Sequence, residues 1–332
     1  MELEGFNSVP IPADPCSVVQ GSKLSGLLFL IYINDMTSAC DCNLFLFADD
    51  SALLVSDRSQ LEVEKALSSE LGKISTWLAD NKLSLHLGKT ESILFGSNYN
   101  LSKADGLKVK VGDSIITQKD EITYLGSILE ANLSGDKMAS KVVKKVNQRI
   151  KFLYRISPLV NNHTLRTLTG ALVQSFFDYA CASWYHSTSK AMKTRLQTSQ
   201  NKLVRLLLGL APRTHLTPAH FDRVGWLRVD DRVQYLAMAQ VHKIRYSSKI
   251  PRYLSNYFLN VNEVHTHNTR GSATNHVQPR SCTNKGLNSF RSYATKMWNS
   301  LPTGIKSCTS LDSFKASLKE HLRLTAIRNW PP

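Results

Sequence analysis

The chain has 332 residues, 42% of them apolar, enough to bury a sizeable core and to divide into about two domains. Its formal net charge is +15, unevenly placed: 13 acidic and 6 basic side chains through residue 100 (net −7) leave 13 acidic and 35 basic beyond it (net +22). No apolar run is long enough to span a bilayer, and Cys40 and Cys42 have no second close cysteine pair, which excludes a multi-cysteine zinc finger and reads as reduced thiols.

In chain order, residues 1–17 contain Pro10, Pro12 and Pro15 without periodicity, so an irregular lead-in is expected. Residues 24–36 predict a buried helix. The run 24–33 has the length of a signal-peptide core, but its late start and its flanks Gln20, Gly21, Asn34 and Asp35 favour a helix of the fold. Residues 43–55 predict a β-hairpin with Asp49 and Asp50 at its turn. Leu61, Ala66, Leu71, Ile74 and Leu78 predict a helix closing at Asp80 and Asn81, and residues 83–95 and 107–129 predict short strands.

From Asp136 the pattern changes to long helices, which sets a boundary near Ser134 and Gly135. Met138, Val142, Val146, Ile150 and Leu153 form one apolar stripe. Lys137, Lys141, Lys144, Lys151 and Arg155 form an opposite basic stripe, either a phosphate-facing surface or a solvated face. Further helices are predicted from Leu165, Leu168, Leu172, Phe176 and Tyr179, and from Met192, Leu196, Leu203 and Leu207, the latter carrying Lys190, Lys193, Arg195, Lys202 and Arg205. Residues 261–286 are polar and predict a long loop in which His265 and His267 are solvated. Leu311, Phe314, Leu318 and Leu322 give a last helix a core face, with Ser310 as its cap.

The adjacent carboxylates Asp49 and Asp50 carry the most chemistry. Neighbouring anions repel and lose hydration when buried, so LFLFADDSALLV (44–55) needs a cation or water at its tip. An ordinary surface turn satisfies the same demand. Three flanking segments extend the pattern: QGSKLSGLLFLIYIND (20–35), NKLSLHLGKTESILFG (81–96) and ITYLGSIL (122–129). In this order and spacing the four segments resemble motifs B, C, D and E of the reverse transcriptase palm in non-LTR retrotransposons of the jockey-like kind. The resemblance continues through FRSYATKMWNSLP (290–302) and LDSFKASLKEHL (311–322).

The resemblance implies an α+β fold: a partial palm of antiparallel hairpin plus helices at 18–133, a mostly α-helical thumb or connection at 134–260, the polar loop at 261–286 and a helical C-terminal segment at 287–332. It implies Mg2+, with Mn2+ as substitute, held by Asp49 and Asp50 once the metal site is completed. Lys89 becomes the proton donor to pyrophosphate, Gln20 and Gly21 lie beside the incoming nucleotide and template, and Tyr124, Leu125 and Gly126 grip the primer. The implied partners are an RNA template and a DNA primer, inside the cell in cytoplasm or nucleus, with no membrane. The chain departs from the family pattern at Val19, Ser25 and Gly26, where proline and Gly-Pro are usual.

What precedes motif B is short. Only Glu2, Glu4 and Asp14 are acidic before Gln20, and none sits in the aromatic-Asp-x-Val setting of the third metal-binding aspartate. The expectation is a truncated RNA-directed DNA polymerase, inactive alone unless a separate chain supplies the missing palm and fingers. The alternative is a non-catalytic nucleic-acid-binding retroelement relic.

Overall fold

Apolar residues recurring every third or fourth position set the helices, and short strand pairs fill the gaps between them. The computed structural model describes residues 2–3, 6–7, 22, 24–264, 274–328 and 330. The chain divides into two compact units, Met1–Gly126 and Ser127–Pro332. The first mixes helices and strands and the second is mainly helical, which makes the fold α+β.

In the first unit β1 (Glu2–Leu3) pairs antiparallel with β2 (Phe6–Asn7). α1 (Ser25–Ile33) continues into a 3-10 turn, Asn34–Ala39, that leads to the hairpin of β3 (Asn43–Phe47) and β4 (Asp50–Leu54). α2 (Gln60–Asp80) is the unit's backbone, because its apolar face serves two clusters. Ile74 and Leu78 meet Met36, Cys40, Leu44 and Leu46, while Val63 and Leu71 meet Leu107, Val109 and Ile116. Leu53 of β4 packs against both. The remainder is short: β5 (Glu91–Ser92) parallel to β8 (Thr117–Gln118), α3 (Asn98–Lys103), the β6 (Lys110–Val111) and β7 (Ser114–Ile115) hairpin, and β9 (Glu121–Tyr124).

Two expectations for this unit change. The helix expected at 24–36 forms, but Ile33 is the one buried residue of α1, and Leu27 and Ile31 stand 56% and 64% exposed. Composition reports that a segment is apolar; burial also needs a covering neighbour. Residues 83–95 give one two-residue strand, because Thr90 donates from both its N–H and its hydroxyl to the His86 carbonyl and closes a turn, Leu87–Lys89, where a strand was expected.

The second unit starts with β10 (Ser127–Glu130) and α4 (Asp136–Ile156). Gly135 caps α4 with φ 76°, and a Cβ there would lie 2.4 Å from the Trp184 carbonyl oxygen, so only glycine fits. α4 packs on α8 (Lys190–Leu208), whose cap is the Ser189 side chain. Val142, Val146, Ile150 and Leu153 from one helix and Leu196, Leu203 and Leu207 from the other form the centre of the larger core. Between them run α5 (Asn162–Thr169), a π-helical turn at Gly170–Gln174, α6 (Ser175–Asp178) and α7 (Cys181–Trp184). Here the buried stripe is Leu165, Thr169, Val173 and Phe177, not the expected Leu165, Leu168, Leu172, Phe176 and Tyr179. The widened π turn lets a spacing of four persist, and Tyr179 falls exposed beyond the helix end.

α9 (Pro218–Val224) and α10 (Val229–Tyr246) follow, and Arg232 of α10 makes two parallel hydrogen bonds, 3.0 and 2.8 Å, to the Asp178 carboxylate at the end of α6. α10 then joins a second core with α14 (Phe290–Ser300) and α16 (Leu311–Arg328), built on Met238, Val241, Trp298, Phe314 and Leu318. Single turns fill the rest: α11 (Arg252–Ser255), α12 (Val261–Val264), α13 (Asn284–Leu287) and α15 (Thr303–Lys306). The polar segment expected as a long loop is partly built in. His276 bridges to Asn260 and is buried against Phe258 and Trp298, where burial pushes its pKa down to about 4. His265 and His267 lie outside the described residues. Among the described residues no helix is long and apolar enough to cross a membrane.

Leu203→Ala, a fully buried site, is expected to cost about 2–5 kcal/mol in denaturant unfolding. Leu27→Ser on the exposed face of α1 is expected to stay within about 0.5 kcal/mol. Equal effects at the two positions would contradict the packing.

Candidate functional site

Alternation along β3 decides where the hairpin points. Leu44 and Leu46 face α2, while Phe45 and Phe47 face away and are exposed, Phe47 by 63%. The register pairs Leu44 with Leu53, Leu46 with Ser51 and Phe47 with Asp50. Asp50 therefore shares the outward face with Phe45 and Phe47, and Asp49 occupies the turn. Both carboxylates are exposed. Water at the tip resolves the repulsion between them that burial would have made prohibitive.

The turn has two central residues, Ala48 and Asp49, and Ala48 has φ 52°. Positive φ at the first central position belongs to the primed turns that match strand twist, but an alanine pays a steric penalty there of about 1–3 kcal/mol. The core contacts of Leu44, Leu46 and Leu53 hold the hairpin closed against it. A second turn ends β9: Leu125 at φ 45° is strained while Gly126 at φ 76° is not, the combination of a type I′ turn, directly after half-buried Tyr124. Lys89 ends the 3-10 turn Leu87–Lys89, exposed. Gln20 and Gly21 lie outside the described residues.

At the base of the hairpin is a charged cluster that sequence reading missed. Glu70, buried on α2, accepts the Asp41 N–H at 2.7 Å and pairs with Lys73 at 2.6 Å; Lys73 also pairs with the Asp41 carboxylate at 2.6 Å. The Lys73 ammonium holds both carboxyls below the usual range. Cys40 and Cys42 flank Asp41, and their sulfurs lie within 4.8 Å of each other and of a Glu70 carboxylate oxygen. Among the described residues this is the one group of three or more metal-ligating side chains, so Asp49 and Asp50 belong to no such group there.

The second unit carries the basic surface. On α4 the apolar stripe faces the core, while Lys137, Lys144, Lys151 and Arg155 are exposed and Lys141 is half-buried. Lys145 and Arg149 are exposed on the same helix, spaced by four, although Lys145 also sits 5.5 Å from the Phe176 ring centre. Exposed Phe152 and Tyr154 lie among them. On α8, Lys190, Arg195 and Lys202 are exposed, but Lys193 sits 4.9 Å from the Tyr185 ring centre and Arg205 donates to the Thr214 carbonyl at 2.9 Å, so these two are structural.

Residues 15–129, a little over a third of the chain, match the family described as reverse transcriptase (RNA-dependent DNA polymerase). The match contains the β3–β4 hairpin and ends close to the boundary between the two units. No curated protein and no solved structure matches the chain.

Because Asp49 and Asp50 have no side-chain partner among the described residues, replacing both by asparagine is expected to leave the thermal unfolding midpoint unchanged or to raise it slightly. A clear drop in the midpoint would mean that the carboxylates hold the hairpin together.

Proposed function

We propose that residues 15–129 are the carboxylate-bearing part of a reverse transcriptase palm from a jockey-like non-LTR retrotransposon, and that the helices after it hold nucleic acid. The supporting observation is the pair Asp49–Asp50, projecting on a rigidly anchored hairpin inside the matched region. Two exposed hard-oxygen donors on adjacent residues suit a hard divalent cation such as Mg2+, or Mn2+ in its place, with further ligands from water and phosphate. Such a cation supplies Lewis acidity at the primer hydroxyl and at the leaving pyrophosphate.

The chain's own residues would do the rest. Asp49 and Asp50 fix the position at which primer and nucleotide meet. Lys89, exposed on a short turn, presents an ammonium able to give its proton to pyrophosphate oxygen. Gln20 and Gly21 would lie beside the nucleotide, and the Tyr124–Leu125–Gly126 turn against the primer. Lys137, Lys141, Lys144, Lys151 and Arg155 on α4 would contact phosphates, with Lys145 and Arg149 beside them.

The same reading makes this 332-residue chain a binder of primed template that does not extend it alone. Preorganised electrostatics is usually the largest catalytic contribution, and among the described residues no third ligand joins Asp49 and Asp50. The outward face of β3–β4 and most of α1 are apolar and exposed, which leaves room for further palm and fingers segments from a separate chain. The second reading, a relic that only binds nucleic acid, draws on the exposed basic face of α4 and the net charge of +22 beyond residue 100.

With a DNA primer on an RNA template and Mg2+, the native chain is expected to extend no more than an Asp49→Ala, Asp50→Ala double variant. Binding of the same template is expected to fall on the order of 10³-fold between about 50 and 200 mM salt. Lys144→Ala with Lys151→Ala should reduce the slope of log affinity against log salt by roughly 2. Extension that disappears in the aspartate variant would refute the inactivity, and salt-independent binding would refute the phosphate contacts.

A further inference from the structure

We propose that Cys40, Cys42 and Glu70 form a zinc site that clamps the base of the β3–β4 hairpin to α2, a site independent of the carboxylates at the tip. The two thiols come from the segment joining the 3-10 turn Asn34–Ala39 to β3, and the carboxylate comes from the middle of α2, 28 residues beyond Cys42. All three donor atoms lie within 4.8 Å of one another. Tetrahedral zinc with sulfur at about 2.3 Å and oxygen at about 2.0–2.2 Å sets donors roughly 3.5–3.8 Å apart. Closing the difference takes up to roughly 1.3 Å per pair, within the reach of side-chain rotation.

The surroundings match the demands of such a site. Glutamate is rarely buried without a partner, and buried Glu70 has two, the Asp41 N–H and the Lys73 ammonium, which orient it. Its Oε2 accepts the Asp41 N–H and its Oε1 accepts from Lys73, each leaving a lone pair for a metal. Two thiolates and the Glu70 carboxylate carry −3, which Zn2+ reduces to −1, while the neighbouring Lys73 ammonium is shared between Glu70 and the Asp41 carboxylate. Thiolate is the form that binds metal, so each thiol must give up its proton on loading. Loading therefore releases two protons, one from each thiol, as two Zn–S bonds form, and water takes the fourth position. Packing accounts for Cys40, which joins Met36, Ile74 and Leu78 in the core, and for half-buried Cys42 beside it, while Lys73 and the Asp41 N–H hold Glu70; none of these requires the three donor atoms to converge within 4.8 Å.

The test is a titration of the reduced, full-length protein with Co2+ as a spectroscopic substitute, followed by competition with Zn2+. A site of this composition gives thiolate-to-cobalt charge-transfer absorption at one equivalent, bleached by zinc. Cys42→Ser is expected to remove that absorption, Glu70→Gln to weaken cobalt binding tenfold or more, and Cys282→Ser, an exposed cysteine elsewhere, to change nothing. Zinc should also raise the unfolding midpoint of the native chain and not that of Cys42→Ser. Absence of charge-transfer absorption in the native protein, or absorption that persists in the Cys40→Ser, Cys42→Ser double variant, would overturn the site. Neither readout depends on nucleotide transfer, so its failure leaves the polymerase reading where it stands.

Discussion

Two carboxylates adjacent in sequence cannot both leave water without a cation between them, and the first unit is arranged around that constraint. The hairpin puts Asp49 and Asp50 at its exposed tip and spends its apolar residues lower down, where Leu44, Leu46 and Leu53 grip α2. The tip costs backbone strain at Ala48, φ 52°, which a glycine would relieve. Strain of that kind persists when the flanking structure over-determines it. Here the flanking structure is a five-residue ladder anchored to the core by Leu44 and Leu46 of one strand and Leu53 of the other.

The two units differ sharply in charge. The acidic first unit offers oxygen donors and an uncovered apolar surface; the basic second unit offers a helix whose buried and charged faces are cleanly separated. Seven cations on α4 come from one amphipathic periodicity, of which Lys145 lies 5.5 Å from the Phe176 ring centre, and the exposed rings of Phe152 and Tyr154 stand among them. On α8 the charges are only partly available, because Lys193 and Arg205 are committed to Tyr185 and Thr214. Counting lysines in sequence cannot make that distinction, since it depends on what packs beside each one.

Local periodicity was legible and long-range proximity was not. Met138, Val142, Val146, Ile150 and Leu153 were readable as a core stripe because helix geometry fixes which residues share a face. The hairpin at residues 43–55 was readable from β-prone residues on both sides of a polar turn. The exposure of α1 was not, because an apolar composition does not say what covers it. The π turn at Gly170–Gln174 shifted the buried face from Leu168 to Thr169, and no residue type announces such a turn. Glu70 beside Cys40 and Cys42 was invisible for a third reason: the third donor is a carboxylate 28 residues away in sequence, brought in by the packing of α2. The candidate tip residues were named from sequence, while the charged cluster beneath them required the fold.

The most direct measurement is the affinity of Mn2+, followed by electron paramagnetic resonance, for the chain bound to primed RNA template, compared between the native protein and the Asp49→Asn, Asp50→Asn variant. Loss of outer partners alone commonly weakens a metal site about 10–100-fold, so removing both carboxylate ligands should weaken manganese binding at least about tenfold while template binding is unchanged. Equal manganese affinity in the two proteins would contradict a metal-holding role for the hairpin tip.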